Sequence, residues 1–220
     1  MAGSVNFLLS GIDSIAVSQR ALACGVDALG VEVSPSSPRC VDLAARTELL
    51  HALPDHVEKV AVVRNPGFGD LEGVSGPEFD SVLVYFPNET PFFEVAMWTD
   101  VVAPEKLLLA PQVLPGGTMD AAFFPLADRL VFDGSGKPAE GDQPMESGWA
   151  EFARLQMAYR KVSWVLDGRL FVDDPQPALE KSQTQRVLIS ANLIETSPGV
   201  IDGEKLSALM AGAEAAETVG

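Results

Sequence analysis

Short apolar runs recur along the whole chain, separated by polar stretches. They predict strands near Val5–Leu9, Ala28–Val33, Lys59–Arg64, Ser81–Phe86, Leu107–Ala110, Arg129–Asp133, Ser163–Asp167 and Val187–Ser190. The runs start roughly every 20 to 35 residues, the length of a strand–helix unit. Several, such as Lys59-Val60-Ala61-Val62-Val63 and Arg129-Leu130-Val131-Phe132, are apolar without alternation, as expected of strands covered on both faces. Helical patterns lie between them. Ile15–Cys24 ends before Gly25, a good C-terminal cap; Val41–Leu53 carries Leu43, Leu49, Leu50 and Leu53. Trp149–Tyr159 carries Phe152, Leu155 and Met157, and Lys205–Ala216 is an alanine-rich helix expected to fray.

Eight such units predict an α/β fold, a single (β/α)8 TIM barrel over residues 1–210 with a frayed tail at 211–220. An open doubly wound sheet is the structural competitor. No Gly-x-Gly-x-x-Gly follows the first strand, which argues against its dinucleotide-binding form. Residues 65–80 read NPGFGDLEGVSGPEFD, rich in Gly and Pro and with no apolar face. The third helix is therefore expected to be shortened or missing, leaving barrel flank for a partner subunit to cover.

With 220 residues and 47% hydrophobic positions, there is material for one sizeable core. No apolar stretch approaches membrane-spanning length, and the start, Met1-Ala2-Gly3-Ser4-Val5-Asn6, lacks a basic signal-peptide region. Two cysteines cannot build a disulfide framework, which favours the cytoplasm. The cysteines and the two histidines lack metal-ligand spacing, so no metal is expected. A net charge of −16 repels phosphate backbones and disfavours nucleic acid as a partner. A small anionic substrate then needs basic residues gathered at its site.

Motifs along the chain resemble the phosphoribosylanthranilate isomerase family. The matching stretches are Leu8-Leu9-Ser10-Gly11-Ile12, Gly25-Val26-Asp27-Ala28-Leu29-Gly30, Ser37-Pro38-Arg39, Val131-Phe132-Asp133, Leu166-Asp167-Gly168-Arg169-Leu170 and Glu195-Thr196-Ser197-Pro198-Gly199-Val200-Ile201-Asp202. They keep one collinear order over nearly the whole chain. The resemblance implies a TIM barrel, a place in tryptophan biosynthesis, and an Amadori rearrangement run without a cofactor. In that reaction an acid protonates the ribose ring oxygen and a base removes a proton from the adjacent carbon. Monomers and homodimers both fit the family.

Residue by residue, the resemblance puts Asp133 at the acid position, with a plain turn aspartate as the other reading, since Gly134-Ser135-Gly136 follows. Ser10 stands where the family has its base cysteine. A thiol can be tuned toward neutrality, but an unassisted serine hydroxyl is far too basic to ionise there. Neither His51 nor His56 is placed to assist it, and Ser10 also reads as a hydrogen-bonding strand end. Arg39 matches the residue that fixes the substrate carboxylate; a surface loop arginine is the alternative. The phosphate loops map onto Gly168, Arg169 and the run Asn192-Leu193-Ile194-Glu195. The second family glycine of the first loop is Arg169, and the glycine of the second is Leu193. Arg169 either holds phosphate by charge or plugs the pocket by pairing with Asp167 or Glu195. Glu32, Arg64 and Asp167 are charges at strand positions where the family is mostly apolar or small.

Three functions remain open on these residues. The chain is an isomerase with a weakened base; or a diverged barrel handling another small anionic metabolite; or a non-catalytic paralogue acting through protein contact. Fold alone does not choose among them.

Overall fold

The computed structural model describes residues 5–67, 69–113, 118–133, 144–170, 173 and 175–217. Eight parallel strands close into a barrel in sequential order: β1 (Asn6–Ile12), β2 (Ala28–Glu32), β3 (Glu58–Arg64), β4 (Ser81–Pro87), β5 (Leu107–Gln112), β6 (Arg129–Phe132), β7 (Ser163–Asp167) and β8 (Arg186–Ser190). β8 pairs back onto β1, with Leu8 opposite Leu188 and Ser10 opposite Ser190. The expected barrel and its eight strands are present, and the open sheet is excluded.

Alternation along each strand sorts its residues between two cores. Leu8, Ala28, Val60, Val62, Leu83, Tyr85, Leu108, Ala110, Val131, Val165 and Leu188 fill the barrel interior. The larger core lies outside it, where Leu9, Ala61, Val63, Leu109, Phe132 and Ile189 meet the surrounding elements. Below the interior layer, Glu58, Ser81 and Arg129 close the N-terminal end with an ion pair of 2.7 Å and shared hydroxyl contacts. Gly30 sits where β2 passes β1. A Cβ there would come within 3.0 Å of the Ser10 Cα and 2.9 Å of a Val62 methyl, so only glycine fits without a shift.

The helices are α1 (Ile15–Ala23), α2 (Leu43–Ala52), α3 (Phe92–Trp98), α4 (Pro144–Ala158), α5 (Pro175–Ser182) and α6 (Gly203–Glu217). Ser14 and Asp42 cap α1 and α2 by accepting from backbone N–H groups three residues on. α3 and α5 are absent from the sequence patterns above. The first exposes Phe92 and Phe93, and the second carries two prolines, so neither shows a clean apolar stripe. α6 continues past residue 211, where fraying is expected; Gly212 lets it approach Pro175 at the start of α5. Residues 218–220 of that tail lie outside the described residues.

Turns replace a helix between β3 and β4, as the glycines and prolines there predict. The flank is not bare, however. Leu71, Val74 and Phe79 are buried on it and take the place of a helix face. Nearby, α3 exposes Phe92, Phe93 and Met97. No helix among the described residues is long and apolar enough to cross a membrane.

Candidate active site at the barrel mouth

The same alternation that fills the interior decides what reaches the C-terminal mouth. Two residues beyond Leu8, Val62, Val165 and Leu188 on their strands stand Ser10, Arg64, Asp167 and Ser190; Asp133 follows Val131 in the same way. Glu32 ends β2 with only 1% of its surface exposed. The apolar interior is thus roofed by polar and charged groups, the usual place for chemistry in this architecture.

Three ion pairs organise the mouth. The first is built on β1. The register against β2 slips between Ser10 and Ile12, and Gly11, the extra residue, takes φ +88°, a conformation that favours glycine. The Gly11 carbonyl accepts from Arg39 Nη1 at 3.0 Å. The Arg39 Nη2 group pairs with Glu195, whose side chain is 6% exposed, and Asp13 lies 3.7 Å from Nη1. The hydrogen bond to Glu195 raises the Arg39 guanidinium above its ordinary pKa, so it is permanently charged and engaged.

The second pair joins β6 and β7. Arg169, in the turn after β7, places Nη2 2.6 Å from Asp133 and Nε 3.1 Å from Asp167. Its backbone N–H also donates to Asp167 Oδ1 at 2.9 Å. Burial pushes the Asp167 carboxyl above its ordinary value of 3.8, against the pull of Arg169. Burial alone would lower the Arg169 pKa, but the two aspartates outweigh it and raise it. Because folded Asp167 holds its proton more tightly than the unfolded chain does, its contribution is fully present below 3.8 and is lost as pH rises through the higher folded value. Asp167→Asn keeps the backbone bond and leaves Arg169 paired with Asp133. Its stability relative to the native chain should therefore increase between pH 4 and pH 7, read as a shift in urea midpoint at the two values.

The third pair is Arg64 Nε to Glu32 Oε2 at 2.7 Å, and the Arg64 guanidinium lies over the Tyr85 ring, 4.4 Å from its centroid. Between the pairs sit the hydroxyls. Ser10 Oγ donates to Ser190 Oγ over a long 3.4 Å. The Tyr85 hydroxyl lies against both serines but makes no well-formed hydrogen bond, and burial raises its pKa. A cavity of about 220 Å³ opens over this floor, lined by Ser10, Glu32, Arg39, Arg64, Ser190 and Asn192.

Of the residues expected at a site, Ser10, Arg39 and Asn192 line that cavity, while Asp133 and Arg169 meet each other across the β6–β7 side. Of the two partners considered for Arg169, the structure shows Asp167; Glu195 goes to Arg39 instead. Gly168 is enclosed: a Cβ there would come within 3.0 Å of the Leu188 carbonyl and 3.3 Å of Leu193. Packing against β8 is sufficient reason for that glycine. Gly134-Ser135-Gly136, on which the turn reading of Asp133 rested, lies outside the described residues. Glu195 as the partner of Arg39 has no local signature in the sequence, since 156 positions separate the two. Among the described residues no group of three or more His, Cys, Asp or Glu side chains is arranged to hold a metal ion.

No family model matches the chain. Individual relatives do. It is 30% identical over 201 residues to the N-(5'-phosphoribosyl)anthranilate isomerase of Rhodospirillum rubrum, covering 86% of this chain and 88% of that protein. The chain belongs to the phosphoribosylanthranilate isomerase family. A second relative of the same name, from Rhodopseudomonas palustris, is 28% identical over 217 residues, 95% of either chain. In fold, the phosphoribosylanthranilate isomerase of Thermotoga maritima superposes with a TM-score of 0.74 at 18% identity, covering 96% of this chain and 99% of that one.

Proposed function

We propose that this chain is a diverged phosphoribosylanthranilate isomerase-family barrel whose mouth binds a small ligand and does not run the family rearrangement at an ordinary enzymatic rate. One observation carries the reading. Each arginine of the mouth is matched by carboxylates of the same chain: Arg39 by Glu195, Arg64 by Glu32, and Arg169 by Asp133 and Asp167. Only Arg64 keeps an edge not taken by its carboxylate, so a substrate bearing both a carboxylate and a phosphate must displace the partners of Arg39 or Arg169 before both of its groups are held. The aspartate at the acid position is itself gripped by Arg169, so donating a proton to a ring oxygen means breaking that pair first. At the base position three neighbouring hydroxyls, Ser10, Ser190 and Tyr85, offer no group that ionises near neutral pH.

The test is genetic. Expressed in a tryptophan auxotroph that lacks only the isomerase, the chain should fail to restore growth on minimal medium. Growth at the rate given by the Rhodospirillum rubrum enzyme would overturn the proposal. A second reading, a barrel kept for contact with another protein, draws on the exposed Phe92, Phe93 and Met97 of α3; a mouth that takes no small molecule would favour it.

A further inference from the structure

We infer that Arg64 is the anion anchor of the barrel mouth, and that the ligand it receives is a small monocarboxylate without a phosphate group. The inference deepens the proposal above and rests on it.

Arg64 has five N–H donors on its side chain. Only Nε is used, by Glu32. Among the described residues neither terminal nitrogen has a partner, and the side chain is 37% exposed, so that edge is within reach of the cavity. The guanidinium is nonetheless held still. Glu32 grips one edge and the Tyr85 ring supports one face. A fixed guanidinium with a vacant two-nitrogen edge matches a planar carboxylate in two parallel hydrogen bonds. Little freedom remains to be lost on binding.

Neutralising Glu32 explains Nε but not the rest of the arrangement. A buried ion pair returns about as much energy as its desolvation costs, so the fold does not require one here. Glu32 is also incompletely served: its Oε1 is buried with no hydrogen-bond partner, and the Tyr85 hydroxyl beside the serines is in the same condition. Both oxygens are closed off from the cavity, so the group offered to an occupant is the exposed edge of Arg64.

Charge and room decide the class. Around this cavity Arg39 and Arg64 face three carboxylates, Asp13, Glu32 and Glu195. A dianionic phosphate meets a net negative surrounding, whereas one carboxylate adds a single charge on the one edge able to take it. Arg39, whose two terminal nitrogens already serve Gly11 and Glu195, is the poorer receptor. A volume of about 220 Å³ lies below the ~300 Å³ at which drug-sized pockets begin. Beyond the anchor, Ser10, Ser190 and Asn192 offer uncharged donors and acceptors for the remainder of the ligand.

The experiment is calorimetric titration of the full chain with benzoate, salicylate, lactate and pyruvate, with inorganic phosphate alongside. At least one monocarboxylate should bind with a Kd of about 1 mM or tighter, and more tightly than phosphate. Arg64→Lys keeps the charge but removes the fork, and should weaken that binding about tenfold or more. Glu32→Gln keeps an acceptor for Nε, removes the opposing charge, and should strengthen it. Opposite responses from two partners of one ion pair are not what a purely structural pair produces, and thermal unfolding of each variant checks that it is folded. The inference is overturned if no monocarboxylate binds, if phosphate binds more tightly, or if Arg39→Lys rather than Arg64→Lys removes binding. Those results leave the absence of isomerase turnover untouched, whereas ordinary turnover of N-(5'-phosphoribosyl)anthranilate overturns the earlier proposal by itself.

Discussion

Ser10→Cys alone should leave N-(5'-phosphoribosyl)anthranilate turnover close to that of the unmodified chain, while the fourfold variant Ser10→Cys, Asp167→Ala, Arg169→Gly, Leu193→Gly should exceed the single variant by about a hundredfold or more. A thiol supplies a group that can ionise near neutrality, but a base contributes only when the substrate is held against it. In this chain the region that the family resemblance assigns to phosphate is filled from two sides. Leu193 packs toward Gly168, and Arg169 spans Asp133 and Asp167. Removing Arg169 by itself would strand the buried Asp167, whose side chain is 5% exposed. Taking both away at once removes the more deeply buried carboxylate together with its partner, and ends the hold of Arg169 on Asp133, the proposed acid. Turnover measured under substrate saturation separates the outcomes. Full recovery by Ser10→Cys alone would show that the loops never obstructed the substrate.

The second large effect concerns stability. Arg39→Met should destabilise the chain by about 3 kcal/mol, because Glu195 is left charged in a nearly closed site. The partial exposure of Arg39, at 24% of its side chain, keeps the cost at the lower end of the range for a broken buried pair. The double variant Arg39→Met, Glu195→Leu should recover most of that loss, since no uncompensated charge remains. Urea unfolding of the three variants measures it. If the single substitution costs under about 0.5 kcal/mol, as at an ordinary surface position, Arg39 is not committed to Glu195 and stands available to a substrate carboxylate.

These two expectations come from different levels of the molecule. Ser10, Arg169 and Leu193 could be singled out from the linear chain, because the family resemblance places each where a residue type of specific chemistry is expected: a thiol, and glycines that leave backbone accessible. Their consequence could not be read there. Arg169 had two candidate carboxylates, and the choice of Asp167 together with Asp133 follows from the adjacency of β6 and β7. Likewise Glu32 and Arg64 stand out as charges in apolar strands, yet only the β2–β3 register brings them to the same side of the barrel at 2.7 Å. α3 and α5 escaped detection for a simpler reason. α3 spans only Phe92–Trp98 and exposes Phe92 and Phe93, and α5 opens on two prolines with a short buried face of Ala178, Leu179 and Ser182, so packing against the rest of the barrel, more than local propensity, holds them in place.

The order of its residues by itself determined eight strand units along this chain, since the period of its apolar runs depends only on near neighbours and on which face of each strand is buried; that the sheet closes rather than staying open was decided by the pairing of β8 with β1. The missing helix after β3 follows equally from local glycine and proline chemistry. The pairing of charges at the mouth was decided only in three dimensions. Coulomb attraction acts through space and falls with distance, and the barrel brings Arg39 to Glu195 across 156 positions of chain.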